Sequence, residues 1–110
     1  MIGIWKEQAV QFSINVAMAL GETITHNADY QYHQSSGVWW EFRLPRYSAR
    51  FFVVVPYDGL CARVLLLSHE GDGVSMMRVI GGVKTSFELV NAQHLVRAIA
   101  TRLLSQDDAA

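Results

Sequence analysis

The side chains best suited to recognition chemistry in this chain are arginines interleaved with aromatic rings. Trp39 and Arg43 lie four residues apart and share one face of any strand that holds both, as do Arg50 and Phe52, two apart. Arg63 and Arg78 extend the set, and arginine is far commoner than lysine. A guanidinium beside an exposed ring is what protein interfaces concentrate at their centres. The same pairing on a sheet can stack the bases of a single nucleic-acid strand. The ordinary alternative is that these arginines solvate strand edges. Trp39, Arg43, Arg50, Phe52, Arg63 and Arg78 are therefore the expected binding residues.

Catalytic constellations are weaker. Cys61 and His69 are the one nucleophile–base pair worth weighing, but they stand at the two ends of one expected strand, roughly 25 Å apart at ~3.3 Å per residue. A lone cysteine is ordinarily a small buried side chain. His69, Glu70 and Asp72, spaced by glycines, suggest a cation loop, yet they lack the ligand pattern of a calcium loop and offer too few ligands for structural zinc. They read as a solvated turn. His26 and His33 lie in an unassigned stretch without a fixed partner, and His94 falls in the first turn of a helix; none receives a role. Gly81-Gly82-Val83-Lys84-Thr85 echoes a phosphate loop, but a strand is expected to follow it, so no helix N-terminus would face the anion. The expectation is no enzyme, no metal and no cofactor.

The elements that position these residues follow from periodicity. Trp5, Ala9, Phe12, Val16 and Leu20 recur at steps of three and four, predicting a helix over 4–20 closed by Gly21. Residues 21–37 read as a long polar connection. From 38 the period becomes two, with Val38, Trp40, Phe42 and Leu44 alternating against Trp39, Glu41 and Arg43. The predicted strands are 38–44, 50–55, 61–68, 74–80 and 83–90, with Gly81-Gly82 as a two-residue hairpin turn. Asn91 is the N-cap candidate for a last helix over 92–105, whose apolar stripe is Leu95, Val96, Ile99, Leu103 and Leu104. The whole is one domain, 1–110, of the α+β class: a five-stranded antiparallel meander with both terminal helices on one face.

Composition limits what such a domain does. The net charge of -1 excludes the broad basic footprint of a nucleic-acid-coating protein, and a single cysteine excludes a disulfide framework. The apolar stretch 9–20 is interrupted by Gln11, Ser13 and Asn15 and is too short to span a membrane. It also makes a poor secretion signal, so a cytoplasmic domain is expected. Nine basic and ten acidic side chains fall short of the roughly 27 charges usual at this length.

Geometry sharpens that shortfall. Two helices, each ~10 Å across, cover one face of a sheet 20–25 Å wide and little more. Yet residues 51–55 and 64–67 are apolar toward both faces. The second face is then sheltered by curling of the sheet, by the 22–37 segment, or by another molecule, and the charge shortfall favours the last. The expected function is non-catalytic protein binding, as a small adaptor, chaperone, immunity protein or inhibitor, and the expected state is a homodimer. The alternatives are a single-stranded nucleic-acid binder using the same face, which the near-neutral charge disfavours, and a ligand-binding or enzymatic domain with a pocket between sheet and helices.

Overall fold

A computed structural model describes residues 2–22, 30–69 and 73–109 of the 110-residue chain. The first helix, α1 (Ile2–Leu20), buries Trp5, Ala9, Phe12, Val16 and Leu20, the stripe that the spacing predicts. Its end is a Schellman motif. Gly21 takes φ 68°, its N–H bonds the Met18 carbonyl at 3.2 Å, and the Glu22 N–H bonds the Ala17 carbonyl at 2.9 Å.

Five antiparallel strands follow in one open sheet, in the sequential order of a meander: β1 (Gln31–Gln34), β2 (Gly37–Leu44), β3 (Ala49–Val55), β4 (Ala62–His69) and β5 (Ser75–Val83). A short helix α2 (Ser86–Val90) and the longer α3 (Gln93–Ala109) complete the chain, giving the α+β architecture expected. Gly37 is required where β1 turns into β2. Its φ is 139°, and a Cβ there would sit 2.2 Å from the Val55 carbonyl oxygen.

All three helices pack on one face of the sheet. Phe12 meets Phe51 edge-on at 5.8 Å, and Phe51 stacks on Phe42 at 5.1 Å, at the centre of a core that also takes Val53, Val64, Leu66, Leu95, Ile99 and Leu103. Long-range hydrogen bonds tie α1 to the β3–β4 connection and to α2. Trp5 Nε1 donates to the Gly59 carbonyl at 2.8 Å, and Asn15 Nδ2 to the Val90 carbonyl at 3.2 Å. No described helix is long and apolar enough to cross a membrane.

Four local expectations are corrected. Residues 31–34, read as part of a connection, form the first strand, because Gln31–Gln34 pair in register with Gly37–Trp40. Residues 83–90 do not form a fifth strand, since only Val83 is in one, as the last residue of β5. Thr85 caps a helix instead, its side chain accepting from the Glu88 N–H at 3.1 Å while Glu88 Oε2 accepts from the Lys84 N–H at 3.0 Å. Gly81 and Gly82 are not a hairpin turn but the end of β5, beside a bulge where the register shifts between Val64 and Leu65. Glycine suits that place because Leu95 of α3 closes to 2.6 Å of where a Gly81 Cβ would lie, a close approach rather than a reversal. The strand count and order survive because a strand appears at the front of the sheet as one is lost at the back. Asn91, in turn, ends α2 and does not start α3, with Nδ2 donating to the Phe87 carbonyl at 3.1 Å.

Candidate functional site

The register sets the residues of the second face in rows across the sheet. Tyr32, Trp39, Val54, Arg63 and Gly82 form one row; Glu41, Phe52, Leu65 and Val79 the next; Arg43, Arg50, Leu67 and Met77 the third. Five of the six expected binding residues (Trp39, Arg43, Arg50, Phe52 and Arg63) thus share one face. Arg78 does not. It pairs with Leu66, whose side chain belongs to the helix-covered core, so the bulge and the alternation of β5 turn Arg78 to the other side.

No described helix or loop contributes to the apolar cluster of this face, which consists of Phe52, Val54 and Leu65 flanked by Trp39 and Leu67. Phe52, Val54 and Leu65 are nevertheless buried, with Trp39 and Leu67 packed against them. Trp39 packs edge-on against Phe52 at 5.5 Å and anchors its Nε1 to Ser36 Oγ at 3.0 Å. Exposure rises toward β5, where Met77 is 43% and Val79 66% accessible.

The feature that sequence reasoning missed is Glu41. Its carboxylate is buried at 2% exposure in the middle of this face. A buried carboxylate needs partners, and it has three. Arg43 Nε donates to Oε2 at 2.6 Å, Arg50 Nη1 to Oε1 at 3.3 Å, and the Tyr32 hydroxyl to Oε1 at 3.4 Å. Arg43 and Arg50 face each other directly across β2 and β3. Glu41 holds that like-charge pair together, and its hydrogen bond raises the Arg43 pKa further, so Arg43 stays cationic throughout the accessible pH range. The Arg43 guanidinium also lies 3.8 Å above the Tyr30 ring, with Nη1 3.1 Å from the Tyr30 hydroxyl. The sequence signal was Glu41 itself, sharing the alternation of Trp39 and Arg43. Tyr30 and Tyr32 lay in the stretch read as a connection.

Two shallow hollows flank this knot. One, about 380 Å³, is lined by Tyr32, Gln34, Ser35, Ser36, Trp39, Glu41 and Phe52; the other, about 410 Å³, by Arg43, Pro45, Ser48, Ala49 and Arg50.

The remaining candidates are dispersed. Cys61 is half-buried just before β4, and His69 closes that strand, its Nδ1 near the Gly73 carbonyl at 3.1 Å and Ser75 Oγ at 3.3 Å. Glu70, Asp72 and His26 lie outside the described residues. His33 is exposed on β1, with its Nε2 3.1 Å from Gln31 Nε2, and His94 stands in the first turn of α3. Among the described residues no group of three or more His, Cys, Asp or Glu could hold a metal ion. Comparison with protein-family models, with curated proteins and with solved structures gives no match.

Proposed function

We propose that this chain is a non-catalytic protein-binding domain, and that the sheet face opposite the helices is its recognition surface. One observation carries the reading. An apolar band from half-buried Trp39 through buried Phe52 and Leu65 to exposed Val79 runs across that face, and no described helix packs on it. Arg43 and Arg50 border the band on one side and Arg63 on the other, against the carboxylate of Glu41, the one acidic group among the described residues of these rows. The excess of cations at an apolar surface suits a protein segment that brings apolar side chains flanked by Asp or Glu. The rings favour a protein over single-stranded nucleic acid. Trp39 and Phe52 meet at 69°, and Phe52 is buried, so they do not offer the flat, open platforms that successive bases stack on. A lone half-buried thiol suits a reducing, cytoplasmic setting.

The test is selection of displayed random peptides on the purified chain, with a homopolymeric single-stranded oligonucleotide titrated in parallel. Selected peptides should be apolar with acidic flanks, and Trp39→Ala should weaken them by about thirtyfold, the effect of losing a ~2 kcal/mol hot spot. Peptides that bind Trp39→Ala and Arg50→Ala as tightly as the parent chain would refute the assignment. Tight oligonucleotide binding that falls steeply with salt would replace it with the nucleic-acid reading.

A further inference from the structure

The most accessible apolar surface gathers on one edge of the sheet. Val74, Met76, Met77 and Val79 are all exposed and fall within six consecutive residues, in β5 and just before it. Among the described strands β5 pairs with β4 alone and stands at the edge of the sheet. The opposite edge is protected in the usual way, for β1 is four residues long and reads Gln-Tyr-His-Gln. β5 has nine residues, no proline and one charge, Arg78. It also carries apolar side chains toward both faces, since Met76 follows the helix-covered side and Met77 and Val79 the open one. That pattern belongs to an interior strand. The strand's one irregularity is the bulge at Ile80, which leaves Ser75–Val79 as its regular stretch.

We propose that two copies of this chain pair antiparallel along residues 75–79 of β5, about a two-fold axis at Met77, and so join their sheets into one. Such an axis must sit at the midpoint of the paired stretch, and Met77 is the midpoint of 75–79. The register sets Met77 against the partner's Met77, Ser75 against the partner's Val79, and Met76 against the partner's Arg78. Charge supports this choice. Centring the pair on Arg78 would oppose two guanidinium groups, whereas here each arginine stem lies along a flexible thioether. Both sets of helices then fall on one side of the joined sheet. Met77 and Val79 of the two copies merge into one apolar patch on the other. The interface uses the strand edge, so it stands independently of any partner docked on the face.

Light scattering on the full chain at up to ~100 µM should give twice the 12.4 kDa of one chain. Met77→Lys sets two ammonium groups on the axis and should weaken the dimer at least tenfold, with an unchanged circular dichroism spectrum. Met77 is exposed, so lysine there spares the core. In a Cys61→Ala background, Met77→Cys should cross-link on mild oxidation, while Tyr57→Cys, exposed on the β3–β4 turn, should not. A one-chain mass at the highest concentration would overturn the proposal. So would a dimer that Met77→Lys leaves intact, or one lost on Trp39→Ala, which would move the contact to the open face.

Discussion

Glu41 concentrates the electrostatics of the open face in one carboxylate. Its two cationic partners sit directly opposite each other and would repel without it, and the carboxylate is too deeply buried to rely on water. The three groups therefore act as a unit, and removing them in different combinations should be far from additive. In the double variant Arg43→Ala/Arg50→Ala, the uncompensated Glu41 should destabilise the fold by about 3–5 kcal/mol. Adding Glu41→Leu to that double variant should recover most of the loss, since an apolar side chain fits the neighbourhood of Trp39 and Phe52. Urea unfolding of the double and triple variants measures this. Equal stability of the two would mean that the carboxylate is not dependent on its arginines.

At the scale of elements, β5 and α2 show how a local polar contact outweighs an alternating pattern. Val83, Thr85, Phe87 and Leu89 could alternate along a strand, but Thr85 and Glu88 stand at the spacing of a helix N-terminal cap. In the folded chain Leu89 is buried while Phe87 is 78% exposed, which a helical turn against α1 accommodates. Thr85→Val separates the two conformations. In a strand, valine would be neutral or favourable; at a cap it loses the hydroxyl that accepts the Glu88 N–H and should cost about 1 kcal/mol. For a domain this small that lowers the melting temperature by about 4–6 °C, which calorimetry resolves.

Over the whole molecule, the sheet divides its two adjacent tryptophans between different environments. Trp40 is buried under the helices, with Nε1 donating to Gln31 Oε1 at 2.9 Å. Trp39 lies half-buried on the face opposite the helices. Trp40→Ala should cost about 3–5 kcal/mol of folding stability. Trp39→Ala should cost about 1–2 kcal/mol, chiefly its edge-on contact with Phe52 and a modest burial. Denaturant melts at several protein concentrations are the appropriate measurement, because self-association adds a concentration-dependent term to any observed difference. Equal, concentration-independent losses would place Trp39 in a core and remove it from the recognition surface.

Features with a local cause are legible in the residue pattern. The α1 stripe, its Gly21 cap, the β2–β4 strands and the inward face of Trp40 and Phe42 follow from periods of 3.6 and 2 and from one glycine, and each is where the pattern puts it. The shared face of Trp39, Arg43, Arg50, Phe52 and Arg63 was legible for the same reason. What tertiary structure decided depends on pairing between distant residues. Gln31–Gln34 carry almost no apolar signal and become a strand because β2 offers them an unpaired edge. Arg78 changes sides because a bulge sets one strand's alternation against its neighbour's, and no single-strand pattern records that offset. Glu41 looked like one more polar residue on an alternating strand. Only the register, which brings Arg50 and Tyr32 beside it, makes it the buried anion around which the face is built.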